Sequence, residues 1–220
     1  MPLGLFLKER YHVAYGLTRK NVSLDVEKHS GTFTLHDEKA CAKCRNTDGC
    51  NHETLVIKSD SGEEIYVVDF EKFASQFSDT TAKFGETCDY LMYSNGVRQV
   101  AFCDLSCSCR KYVEPNQGIY SMGKRAKAFS QMTNSMLKLT EADDLLKLNI
   151  ISASRKRFIF GWREPDMAPA DLPEEAMLEF IETPDSTEST LISQQNAKEL
   201  NFEFIQVKYP EPYLWDFDIF

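Results

Sequence analysis

The chain has 220 residues, a net charge of −9 and a pI near 5.0, with 42% hydrophobic and 27% charged residues. This is the composition of a globular protein, and its acidic balance argues against tight unaided binding to nucleic acid, because neutralising phosphates supplies most non-specific affinity. No apolar run approaches the ~20 residues that cross a bilayer, and the apolar stretch in MPLGLFLKERYH is too short for a signal peptide, so the sequence predicts a cytoplasmic protein with no membrane partner. Seven cysteines without an export signal then point to reduced thiols or metal ligands rather than disulfides.

Residues 1–30 carry no clear pattern. GTFTLH (31–36) alternates and predicts a strand. CAKCRNTDGCNH (41–52) reads as a polar, Cys-rich loop. ETLVIKSDSGEEIYVVDF (53–70) predicts a hairpin turning at Asp-Ser-Gly. EKFASQF (71–77) predicts a short helix, with Phe70, Phe73 and Phe77 at helical spacing. CDYLMYSNGVRQVAFCDLSC (88–107) predicts a second hairpin turning at Ser94-Asn95-Gly96, where glycine tolerates positive φ. After a loop, MGKRAKAFSQMTNSMLKL (122–139) predicts an amphipathic helix. Its apolar stripe is Met122, Ala126, Phe129, Met132, Met136 and Leu139. Its polar face carries Lys124, Lys127, Gln131, Asn134 and Lys138. LNIISASRKRFIFGW (148–162) predicts one or two further strands.

Residues 1–163 therefore read as one domain that includes the Cys-rich loop. Residues 164–197, rich in Pro, Asp, Glu, Ser and Thr, read as a linker or long loop with a short helix around 174–181. Residues 198–220 give a strand and an acidic-aromatic tail, docked either on this domain as an edge strand or on a partner. Ser154-Arg155-Lys156-Arg157 is either a phosphate contact or a solvated strand end. No internal repeat is present.

Asp104 interrupts an apolar run in the second hairpin, and a carboxylate there needs a partner or a metal. Asp89 enters the hairpin's first strand, where a turn or cap role would also explain it. Gln131 on the following helix is either plain surface or faces the same place.

This order of strand, turn, strand, helix and strand, with Asp89, Asp104 and Gln131 in sequence, resembles the PD-(D/E)XK nuclease superfamily over roughly residues 86–160. The resemblance implies a mixed α/β (α+β) fold, with a restriction-endonuclease-like central sheet flanked by helices. It implies metal-dependent phosphodiester hydrolysis of nucleic acid, with Asp89 and Asp104 as ligands of Mg²⁺ or Mn²⁺ and Glu71 as a further carboxylate. Hard cations of that kind prefer oxygen ligands, and they polarise the phosphodiester and acidify the attacking water. A protein partner and a setting in DNA repair or defence against foreign DNA belong to the same expectation.

The departure is at Ser106, where the family triplet has lysine. Either the lysine has moved, to Lys124 or Lys127 on the helix or to Lys111 in the loop, or the site is silent and the chain is a binding or assembly subunit. A third reading is a zinc-stapled interaction module whose strands only mimic the motif.

Cys41-x2-Cys44-x5-Cys50-x-His52 supplies four zinc-competent ligands within twelve residues, the basis for a predicted structural Zn²⁺ in a knuckle-like insertion. His36 or Cys109 are alternatives to His52. A free-thiol loop and an iron–sulfur cluster are the competing readings. Cys103, Cys107 and Cys109 form a second group, read as small apolar filling. A nucleophilic cysteine would need a histidine base, and the four histidines, at 12, 29, 36 and 52, form no recognisable pairing.

Overall fold

The structure, a computed structural model, describes residues 3–15, 22–37, 53–77, 87–108, 113, 123–164 and 195–216. The N-terminal stretch, which showed no pattern, is helical: α1 (Leu3–Phe6), a π-turn (Leu7–Tyr11) and α2 (His12–Ala14). It buries Leu3, Phe6, Leu7 and Tyr11. Strands β1 (Val26–His29), β2 (Thr32–His36), β3 (Glu53–Lys58) and β4 (Ile65–Asp69) follow, then the short helix α3 (Phe70–Ser75). The Asp69 side chain caps α3 by accepting from the Lys72 amide at 2.8 Å, which satisfies one of the helix's orphan donors.

The hairpin expected over 53–70 does not form. β3 pairs with β2 and with the C-terminal strand β9 (Pro212–Leu214), whereas β4 pairs with β1 and with β5 (Tyr90–Ser94). The Asp-Ser-Gly turn is present, with Gly62 at φ +72°, but it turns a corner between two sheets. The Asp216 carboxylate holds that corner, accepting from Ser59 Oγ at 2.7 Å and from Ser61 N at 2.9 Å. Both strands bury side chains against other partners, so long-range pairing overrides the local signal.

The second hairpin forms as expected: β5 and β6 (Gln99–Cys107) pair antiparallel through a turn with Gly96 at φ 73°. Helix α4 (Gly123–Ala142) then crosses over. Helix α5 (Asp144–Ile151) follows, and β7 (Arg155–Arg163) lies parallel to β6. The start of 148–162 is thus helix rather than strand. Asp143 caps it, its Oδ1 accepting from Leu145 N at 2.9 Å, and the Leu/Ile run buries Leu146 and Ile150. Strand β8 (Glu203–Lys208) adds parallel to β7.

The result is a mixed α/β fold. Its central six-stranded sheet has the order β1-β4-β5-β6-β7-β8, and the three-stranded sheet β2-β3-β9 lies beside it. Alternation on β6 sends Val100 and Phe102 into a core shared with the helices, and Ala101, Cys103 and Leu105 into a core shared with the small sheet. Helices therefore cover one face and the small sheet the other. At Gly161 the sheets come so close that a Cβ would stand 2.8 Å from Leu55 and 2.9 Å from Leu105.

The tail belongs to this domain, through β8 at the edge of one sheet and β9 in the other. Residues 195–199 are helical, and Ala197 is buried in the helix-side core. Among the described residues no helix is long and apolar enough to cross a membrane.

Candidate functional site

Asp89 lies just before β5. Its backbone carbonyl accepts from Phe70 N at 2.8 Å and from Glu71 N at 3.2 Å, tying it to the start of α3. Its carboxylate Oδ2 accepts from Leu105 N at 2.7 Å, reaching across to β6. Asp104 sits on β6 two positions beyond Phe102 and so shares the helix-facing side of the strand. It is buried at 6% exposure. The Asp89 and Asp104 side chains are hydrogen-bonded to one another.

Burial pushes the Asp104 carboxyl well above the usual carboxylate range. The charges of Asp89 and Asp37 push it the same way, and that of Lys127 pulls it back. Two carboxyls in contact oppose each other's ionisation, so the direction for Asp104 is upward, with burial as the largest cause.

One row of α4 faces this pair. Ser135 Oγ accepts from Cys88 N at 2.9 Å. One turn earlier, Gln131 Nε2 donates to the Thr87 carbonyl at 3.3 Å. One turn earlier again, the Lys127 charge acts on Asp104. The i, i+4 spacing places these three on one stripe. Ser135 and Gln131 hold the segment entering β5, and Lys127 meets the carboxyl pair. Lys124, half-buried, stands three residues before Lys127 on α4. Gln131 is thus a backbone anchor.

Ser106 is buried on the same side of β6 as Asp104, with its Oγ 2.8 Å from Ser108 Oγ. This is the position where the triplet's lysine would stand. Glu71 lines a cavity of about 390 Å³ together with His36, Asp37, Asp69, Asp89 and Tyr90. Asp69 is committed to capping α3.

Asp37 and Ser135 escaped the sequence reading. Asp37 is buried, and its Oδ2 accepts from Cys107 N at 3.1 Å. Nothing within the local sequence of either residue signals its partner, which lies 70 positions away for Asp37 and 47 for Ser135.

The donor set is oxygen-only and hard. Among the described residues, however, no three His, Cys, Asp or Glu side chains are arranged to hold a metal ion. Asp89 and Asp104 offer two adjacent carboxyls to any ligand that enters between them.

The predicted zinc ligands Cys41, Cys44, Cys50 and His52 lie outside the described residues, as do Cys109 and Lys111. His36 gives its backbone carbonyl to Tyr90 Oη at 3.0 Å. Cys88, Cys103 and Cys107 are buried free thiols. Burial raises Cys88 and Cys103 well above the usual thiol range, which fits the reading of Cys103 as apolar filling.

The basic stretch is engaged inside the fold. Arg155 donates to the Asp216 carbonyl at 2.6 Å, Arg157 pairs with Glu203 at 2.6 Å, and Lys156 Nζ donates to the Ile151 carbonyl at 2.9 Å. Ser154 is exposed and the three basic side chains are half-buried.

No family model, curated protein or solved structure matches the chain.

Proposed function

We propose that this protein is a divergent metal-dependent nuclease of the PD-(D/E)XK type, hydrolysing phosphodiester bonds. The observation that carries the reading is the contact between the Asp89 and Asp104 carboxyls beneath α4, with Lys127 charge-coupled to Asp104. The connectivity supports it as well. The antiparallel run β4-β5-β6, the crossover helix α4 and the parallel strand β7 follow the order expected of a restriction-endonuclease-like core.

In this reading Asp89 and Asp104 hold Mg²⁺ or Mn²⁺, which when bound polarises the scissile phosphate and acidifies a water. Lys127 takes the place of the missing triplet lysine: it offsets carboxylate charge and positions the nucleophile. Ser135 and Gln131 keep the β5 entry, and with it Asp89, in register with Asp104. A net charge of −9 suits a nuclease to which a basic protein partner delivers nucleic acid. DNA repair or defence against foreign DNA is the setting that chemistry fits. A structural Zn²⁺ on Cys41, Cys44, Cys50 and His52 is the companion proposal, tested by metal analysis of protein purified without chelator.

One observation favours a silent, binding-only subunit instead: Ser106, with its Ser108 contact, fills the usual lysine position. Purified protein incubated with single- and double-stranded DNA and RNA, with Mg²⁺ or Mn²⁺, separates the two. The nuclease reading expects cleavage that Asp104→Ala and EDTA abolish. Cleavage that survives Asp104→Ala refutes the site, and wild-type inactivity on every substrate favours the silent subunit.

A further inference from the structure

The helix-facing side of β6 changes character along its length. Val100 and Phe102 are apolar and join the core shared with the helices. Alternation then places Asp104, Ser106 and Ser108 on that side in succession. All three are buried, Ser106 at 6% and Ser108 at 3% exposure. The neighbouring strand β7 stays apolar there, with Phe158, Phe160 and Trp162 paired to Phe102, Asp104 and Ser106. The polar run is thus no general property of this face. It leads from Asp104 to the carboxyl end of β6, and open sheets take up ligands outside the carboxyl ends of their strands.

The Ser106 and Ser108 hydroxyls stand 2.8 Å apart and share one hydrogen bond. Each serine brings one hydroxyl hydrogen. The bond between them uses one of the two, whichever oxygen donates. Neither hydroxyl has another partner among the described residues. One buried donor is therefore left over, and a buried polar group without a partner calls for a ligand or a catalytic role to account for it.

We propose that Ser106 donates this hydrogen to a phosphate oxygen of the substrate, with Ser108 donating to Ser106 and fixing its orientation. The proposal rests on the nuclease reading above and names the group that holds the phosphodiester beside Asp104. The hydroxyl keeps its proton throughout. It contributes one hydrogen bond, which strengthens as charge builds on the phosphate oxygen.

The test compares wild type, Ser106→Ala, Ser106→Thr, Ser108→Ala and Asp104→Ala on an all-oxygen oligonucleotide and on its stereodefined phosphorothioate forms, all Rp or all Sp. Sulfur is a weak acceptor, so one of the two forms loses the bond to Ser106. The expected result is a kcat lowered roughly 10²-fold in Ser106→Ala on the oxygen substrate, with KM level. Ser106→Thr, which keeps the hydroxyl, restores most of it, and Ser108→Ala falls between. The ratio of wild-type rates on the two phosphorothioates collapses in Ser106→Ala and returns in Ser106→Thr. A serine with a merely structural role would lower the melting temperature and leave that ratio unchanged, and this result overturns the proposal. Wild-type kcat in Ser106→Ala, while Asp104→Ala abolishes cleavage, also overturns it and leaves the nuclease reading standing. Wild-type inactivity on every substrate overturns both. Should Ser106→Ala fail to fold, Ser106→Cys, whose thiol is a weak donor, carries the same comparison.

Discussion

Asp104 shows how one buried group ties stability to chemistry. Its carboxyl is held above the usual range by burial first and by the charges of Asp89 and Asp37 next. A raised carboxyl binds its proton more tightly folded than unfolded, so its stabilising contribution is complete below the unfolded value near ~3.9 and is lost as pH rises through the folded value. Metal-free protein therefore loses stability as the pH increases through that window. Asp104→Asn, neutral at every pH, escapes the loss. Its melting temperature without metal is expected to gain on that of wild type as the pH rises, a gain that disappears near pH 4. A variant that loses ground to wild type as the pH rises would contradict this. On the proposed nuclease reading, Lys127→Ala is expected to lower kcat about 10²-fold or more, the usual cost of losing a group aimed at developing charge. Lys124→Ala should cost far less, and single-turnover kinetics check the pair. Asp104 was readable in the sequence because a carboxylate in an apolar strand needs a reason. Asp37 was not, because its role is set by a partner 70 residues away.

Helix α4 connects site and fold through one stripe. Ser135→Ala leaves the buried Cys88 amide without its acceptor, an expected loss of about 1–3 kcal/mol by chemical denaturation. It also loosens the β5 entry that carries Asp89, so activity should fall further than stability alone explains. Gly161→Ala tests the packing on the other face, where a Cβ would sit 2.8 Å from the Leu55 side chain and 2.9 Å from that of Leu105. Overpacking there is expected to cost about 1–3 kcal/mol. The hairpin β5-β6 and helix α4 were readable because turn chemistry and 3.6-residue periodicity are local. Strand β3 was readable as a strand, but its partners were not. Its apolar faces fit any neighbouring strand, and only the small sheet, completed by β9 from the far end of the chain, decides between them. Helix α5 was misread because a Leu/Ile run suits helix and strand alike, and the cap at Asp143 settles it.

The molecule as a whole layers helices, a six-stranded sheet and a three-stranded sheet, and the carboxyl pair meets all three layers. Lys127 approaches from the helices, Asp89 and Asp104 belong to the large sheet, and Asp37 comes from the small one. The C-terminal segment completes the small sheet through β9, latched by Asp216 on Ser59 and Ser61. The Asp216 carboxyl is held below its ordinary range, with burial opposing and the Ser61 and Ser59 hydroxyls outweighing it. Asp216→Ala is therefore expected to destabilise the fold by about 1–2 kcal/mol, read as an earlier urea midpoint at unchanged slope. The central claim is that Asp89 and Asp104 together hold one divalent cation. Its most direct test is anomalous diffraction at the manganese edge from crystals soaked in Mn²⁺. A single strong peak is expected between the two carboxylates, within about 2.2 Å of an oxygen from each. Carboxyls still hydrogen-bonded to one another, with no peak between them at saturating Mn²⁺, would contradict it.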